Sequence, residues 1–246
     1  MPALAIIGGT GLAKIEGLEN IKKRVVNTPF GEPSSPLTYG TLEGVEIVFL
    51  ARHGYGHTIP PHRVNYRANI WALQHAEAEN ILAIAAVGSL NEQMKPGEVI
   101  LPNQLIDYTW GRCTTFYEDD LDKVTHIDFT HPYSKGLYKR LSNAVVTAKL
   151  PLINQAVYGC TQGPRLETAA EIQKLRRDGC DLVGMTGMPE AALARELKIE
   201  YACCAVVVNW AAGLADGEIL MHDIERNVVT GMDKVNAVML ALLKGL

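Results

Sequence analysis

Leu4-Ala5-Ile6-Ile7-Gly8-Gly9-Thr10-Gly11 opens the chain with an apolar run that breaks into glycines and a hydroxyl. An apolar run this short, bounded by glycine, reads as a buried strand. Glycines directly after a strand let backbone N–H groups approach an anion, and the Thr10 hydroxyl adds a donor. A dinucleotide fingerprint would place one more glycine further on, where a helix opens. Leu12, Ala13 and Lys14 follow instead, so that reading fails on spacing. A plain tight turn stays open as the alternative.

The same grammar recurs along the chain. Val45 to Leu50 runs into Arg52-His53-Gly54, Ile81 to Val87 into Gly88-Ser89, Leu182-Val183 leads to Met185-Thr186-Gly187, and Tyr201 to Val208 is closed by Asn209. Between these runs lie helical periods. Val64 to Ala76 carries Ile70, Leu73 and Ala76, Glu167 to Arg177 carries Ala169, Ile172 and Leu175, and Val228, Met232, Val235, Met239 and Leu242 mark one face of a C-terminal helix. Strands alternating with helices predict an α/β fold, a mixed and largely parallel central sheet flanked by helices. With no repeat and no long linker, residues 1–246 are expected to form a single domain.

Each strand end has a functional and a bland reading. A guanidinium beside an imidazole, as in Arg52-His53, suits phosphate at the carboxyl edge of a parallel strand, though solvated loops also carry such charges. Asn209 is an amide that needs partners if buried, or a turn cap. Glu167 sits where the helix macrodipole alone would favour an acid. The recurrence is the stronger signal, because small, donor-rich steps at several strand ends suggest one anion pocket assembled across the sheet edge.

Composition narrows the class of partner. The net charge is -4 and no basic run exceeds Lys22-Lys23-Arg24, so neither nucleic acid nor another polyanion is expected. The cysteines at 113, 160, 180, 203 and 204 are odd in number and lack Cys-x-x-Cys spacing, which predicts a reducing compartment without disulfides or a zinc knuckle. His126 and His131 flank a loop with no second ligand pair at metal spacing, so no metal is expected. No nucleophile elbow supports a hydrolase triad. The first residues lack a signal peptide's basic flank, and no stretch nears the ~18 apolar residues of a membrane span. A cytoplasmic location without a membrane partner is the expectation.

Taken in order, Ile6 to Gly11, Arg52-His53-Gly54, Val64 to Leu73, Gly88-Ser89-Leu90, Gly163-Pro164-Arg165, Met185-Thr186 and Pro189-Glu190 resemble the trimeric purine nucleoside phosphorylases, more closely the 5'-methylthioadenosine phosphorylase branch. The likeness runs over nearly the whole chain. It implies a homotrimer, inorganic phosphate as co-substrate, and no metal or organic cofactor. It also implies a phosphate site at Thr10, Arg52, His53 and Thr186, and a ribose contact from Met185. Leu166 occupies a position that is commonly a base-stacking phenylalanine. Ala85 and Val208 stand where the family has threonines, which implies a looser hold on phosphate.

The departures at the base and sugar are more informative. Asn209 and Ala211 replace the two aspartates of the methylthioadenosine enzymes, and Glu167 matches the glutamate that 6-oxopurine phosphorylases set against N1–H. Acceptor Glu167 with donor Asn209 fits hypoxanthine or guanine better than adenine. At the 5' end, Met221 takes the place of a histidine that binds a hydroxyl, with His222 one residue away, and methionine favours a thiomethyl group. His126 matches a histidine lent by a neighbouring subunit. The resemblance thus implies phosphorolysis of S-methyl-5'-thioinosine. The alternatives are a phosphorylase of methylthioadenosine, or of inosine and guanosine, and more remotely a non-catalytic nucleotide-binding sensor.

Overall fold

The computed structural model describes residues 2–119 and 122–245. Its strands in chain order are β1 (Leu4–Gly8), β2 (Glu19–Arg24), β3 (Leu37–Leu42), β4 (Val45–Ala51), β5 (Asn80–Ser89), β6 (Val99–Asp107), β7 (Ile153–Cys160), β8 (Leu182–Gly184) and β9 (Glu200–Trp210). The helices are α1 (Tyr66–His75), α2 (Lys135–Thr147), α3 (Ala169–Arg177), α4 (Gly187–Glu196) and α5 (Met221–Leu243). The strands lie in the order β2-β3-β4-β1-β5-β8-β7-β6-β9.

Pairing is parallel for β1 with β4 and β5, β5 with β9, β6 with β7, and β7 with β8. Antiparallel pairing joins β2, β3 and β4 and makes short contacts between β5 and β8 and between β6 and β9. The sheet is therefore mixed and largely parallel, as the alternating pattern predicts. Because β9 pairs with both β5 and β6, the stretch from β5 to β9 closes on itself, a feature that periodicity does not reveal.

Side chains of the central strands alternate between two apolar cores. Ala5, Ile7, Ile81, Ala83, Cys203 and Val207 meet Ile70 and Leu73 of α1 and Leu193 of α4. Leu4, Ile6, Leu82, Ile84, Cys204 and Val206 meet Leu141 of α2 and Val235 and Met239 of α5. A sheet buried on both faces needs such continuous apolar runs. The α5 helix lies close on β9, and a Cβ at Gly231 would stand 2.1 Å from Val206 Cγ1. A mid-helix glycine costs ~1 kcal/mol, offset here by that approach. Among the described residues no helix is long and apolar enough to cross a membrane.

Candidate active site

The strands β1, β4, β5 and β9 run parallel, so their carboxyl ends share one edge of the sheet. That edge borders a cavity of about 530 Å³. Its lining includes Thr10 after β1, Arg52 and His53 after β4, Asn209 in β9, and Met185 and Thr186 between β8 and α4. Leu166 and Glu167, just before α3, and Met221, the first residue of α5, complete the set that the sequence brings forward. His126 is exposed and is not among the residues lining its own chain's cavity. Ala85, Val208 and Ala211 do line it.

Arg52 is 1% exposed and its guanidinium meets the fully buried Glu190 edge-on. Its Nε donates to Oε2 at 2.7 Å and one terminal nitrogen to Oε1 at 2.8 Å, while the other donates to the Ile84 carbonyl at 2.9 Å. Tyr201 Oη adds a hydrogen bond to Glu190 Oε1 at 2.9 Å. Burial works against the charge of Arg52, but the Glu190 carboxylate more than compensates and raises its pKa above the ordinary value. Gly9 makes the approach possible, since a Cβ there would stand 2.5 Å from the Ile84 oxygen and 3.0 Å from the guanidinium. Sequence motifs alone give Glu190 no role. Its signal is nonetheless there, because an acid inside the apolar stretch Met188 to Ala194 needs a buried cation.

His53 is 6% exposed, with Nδ1 at 2.8 Å from the Ile59 carbonyl. Burial, then the neighbouring Arg52 charge, bring its pKa down to about 4 against the hydrogen bond to Ile59, and His57 adds to the lowering. The ring is neutral at physiological pH. Across the α4 turn, Thr186 N–H donates to Tyr158 Oη at 3.3 Å. The Tyr158 side chain explains both glycines around Met185-Thr186, because a Cβ at Gly184 would lie 2.3 Å from its hydroxyl oxygen and one at Gly187 2.3 Å from its ring.

A β-bulge sets Asn209. Register between β5 and β9 steps from Val87–Val207 to Gly88–Asn209, leaving Val208 without a partner. Bulges re-aim side chains in this way. Gly88 leaves the space, since a Cβ there would meet Val183 Cγ1 at 3.1 Å and Asn209 Nδ2 at 3.4 Å. One Asn209 Nδ2 hydrogen goes to the Trp210 carbonyl at 2.7 Å, which leaves its second N–H and its carbonyl oxygen. Glu167 precedes the helix rather than opening it: Thr168 caps α3 in a capping box with Glu171. The Glu167 carboxylate instead accepts from Thr161 Oγ1 at 2.6 Å, which fixes one oxygen and leaves the other as an acceptor.

At the rim, Leu166 and Met221 are 44% and 64% exposed. His222 lies outside the lining and pairs with Asp223 at 3.2 Å, so Met221 is the one of the two that faces the cavity. Behind the rim, Arg112 ties several segments together. It donates to the carbonyls of Met185 at 2.9 Å, Met188 at 2.6 Å, Thr161 at 3.3 Å and Gln162 at 2.9 Å, and to Tyr66 Oη at 3.2 Å. No reading of isolated motifs assigns it a role. Arg112→Met keeps the stem and removes every donor. Hydrogen bonds to a charged group are worth about 1.5–3 kcal/mol each, so urea unfolding should show a loss of at least one such bond. A shift of ~1 Å in Met185 should lower kcat/KM about 10²-fold. Unchanged stability and kinetics would show the clasp to be idle.

A family model described as the phosphorylase superfamily matches residues 3–244. A Pseudomonas syringae pv. tomato protein named probable S-methyl-5'-thioinosine phosphorylase is 55% identical over 243 residues, covering 99% of each chain. The 6-oxopurine nucleoside phosphorylase of Pyrococcus furiosus is 48% identical over 227 residues, 90% of this chain and 84% of that protein. Among solved structures, the methylthioadenosine phosphorylase of Schistosoma mansoni in complex with adenine matches with a TM-score of 0.94 at 32% identity, over 99% of this chain and 91% of that one.

Proposed function

The chain belongs to the phosphorylase superfamily, and from that premise we propose that it catalyses S-methyl-5'-thioinosine + phosphate → hypoxanthine + S-methyl-5-thioribose 1-phosphate. It is an enzyme of the nucleoside phosphorylase type, a pentosyltransferase. The observation that carries the substrate assignment is the joint presence, in one cavity, of the Arg52, His53, Thr10 and Thr186 group and the acceptor–donor pair Glu167 and Asn209.

In this reading, phosphate held by Arg52, His53, Thr10 and Thr186 attacks C1' as the bond to the purine breaks. Its charge stabilises the cationic character that develops on the ribose, and its fixed position replaces a bimolecular encounter. Glu167 accepts from N1–H of the base. Asn209 donates its remaining N–H to the 6-oxo and N7 edge, where electron density collects as the bond breaks. Met185 borders the ribose, and Met221 covers the 5'-methylthio group. Phosphate is a co-substrate, and no metal or organic cofactor takes part. The active assembly is a cytoplasmic homotrimer in which His126 of a neighbouring subunit completes the 5' end.

A second reading, a 6-oxopurine phosphorylase that takes a 5'-hydroxyl, draws on the Pyrococcus relative's name and on the open position of Met221. An ultraviolet assay of methylthioinosine, methylthioadenosine, inosine and guanosine, with and without phosphate, separates the two. Methylthioinosine should show the highest kcat/KM, and no nucleoside should turn over without phosphate. Inosine as the best substrate would favour the second reading. Best turnover of methylthioadenosine would overturn the base assignment, and tight NAD binding without turnover would overturn the enzyme reading.

A further inference from the structure

Resting on the proposed reading of the base by Glu167 and Asn209, we infer that Thr161 is a positioning residue for that reading. Its hydroxyl holds the Glu167 carboxylate in a partition between two cavities, so that one oxygen stays on the base.

The partition is the segment from Gly163 to Glu167. Pro164 and Leu166 line the main cavity, while Gly163 and Arg165 line a second one of about 310 Å³. Glu167 lines both. It belongs to no regular element, because α3 starts at Ala169, and Pro164, Arg165, Leu166 and Thr168 around it are exposed. Neighbouring backbone and packing therefore do little to decide which cavity its carboxylate enters. The second cavity also holds Lys174, a cation that would draw a carboxylate away from the base.

What opposes that drift is one hydroxyl. Among the described residues, the bond from Thr161 Oγ1 to Oε1 at 2.6 Å is the one hydrogen bond that the Glu167 side chain makes. The donor is itself fixed. Thr161 follows β7, whose Cys160 pairs with Gly184 at the end of β8. Its N–H donates to the Gly184 carbonyl at 2.8 Å, and its own carbonyl accepts from Arg112 at 3.3 Å. Oγ1 lies 3.2 Å from the same Gly184 oxygen, but a hydroxyl has one hydrogen, and the shorter contact to Glu167 takes it. Met185 and Thr186 follow Gly184 directly. Thr161 thus ties the base reader to the strand end that carries the sugar and phosphate contacts, and such fixed orientation carries large factors in rate. Thr161 is not among the residues lining the main cavity, so it acts through Glu167.

The test measures phosphate-dependent base release by Thr161→Val, Thr161→Ser, Glu167→Ala and the double variant Thr161→Val with Glu167→Ala. Valine keeps the branched shape and removes the donor, so kcat/KM for methylthioinosine should fall about 10- to 100-fold. Serine keeps the hydroxyl and should stay within about threefold of the unaltered enzyme. Methylthioadenosine has no N1 hydrogen for Glu167 to accept, so Thr161→Val should move its kcat/KM by about twofold at most. In the double variant the two losses on methylthioinosine should not add, because both remove the same contact. Unchanged kinetics in Thr161→Val, a fall shared equally by both nucleosides, or losses that add would each overturn the inference. Glu167→Ala with unaltered methylthioinosine kinetics would instead overturn the base reading on which it rests.

Discussion

Asn209→Asp is expected to turn the enzyme away from 6-oxopurine nucleosides. An aspartate would oppose its lone pairs to the 6-oxo oxygen, to which the amide is proposed to donate. Two mismatched buried groups at about 2 kcal/mol each amount to about 10³-fold in kcat/KM. The exocyclic amino group of methylthioadenosine can donate to the new carboxylate, so the ratio of amino to oxo substrate should rise by about that factor. Absolute activity should still fall, because Glu167 goes on facing an N1 that has no hydrogen in adenine. The bulge that orients residue 209 is made by the backbone, so the variant should fold as before. Retention of the 6-oxo preference would show that Asn209 does not read the base.

Glu190→Gln is expected to give the largest loss of stability. The pair it forms with Arg52 is 0% and 1% exposed. Breaking such a pair from one side leaves an uncompensated buried charge and costs about 3–5 kcal/mol. At about 2–4 °C per kcal/mol for a chain of this size, Tm should fall by about 6–20 °C. Phosphate supplies the missing negative charge, so it should raise Tm more in the variant than in the unaltered enzyme. That second readout distinguishes a group that positions the anion site from one that only packs. A fall in Tm below about 2 °C would mean that the pair does not hold the site's charge.

Much of this architecture was legible because the central strands are apolar on both faces. The runs ending at Ile7, Leu50, Val87 and Val208 announce β1, β4, β5 and β9, and the periods in α1, α3 and α5 are equally plain. Other elements lack that signature. All six residues of β2 are exposed and three are basic, as suits an edge strand that must not pair with another chain. Pro102 and Asn103 interrupt β6, and β7 carries Asn154 and Gln155 near its start. In α4 the non-helical backbone of Met188, followed by Pro189, breaks the pattern that Leu193 would otherwise extend.

The site follows the same division. Residues at strand ends were found because each follows an apolar run. Those that hold them were not, since Glu190, Tyr158, Thr161 and Arg112 reach their partners across 138, 28, 6 and 73 residues of sequence. Local pattern carries no trace of contacts that far apart, and the short Thr161–Glu167 bond depends on how the loop before α3 folds back. Buried charge is the exception. An acid in an apolar helix demands a partner, and only the fold says which.

A crystal structure of the enzyme with hypoxanthine and S-methyl-5-thioribose 1-phosphate reads the base and phosphate contacts together. It should show the free Glu167 oxygen on N1–H, Asn209 on the 6-oxo and N7 edge, and the phosphate oxygens on Arg52, His53, Thr10 and Thr186. A purine turned away from Glu167 and Asn209, or a phosphate seated apart from Arg52 and His53, would contradict the proposed assignment.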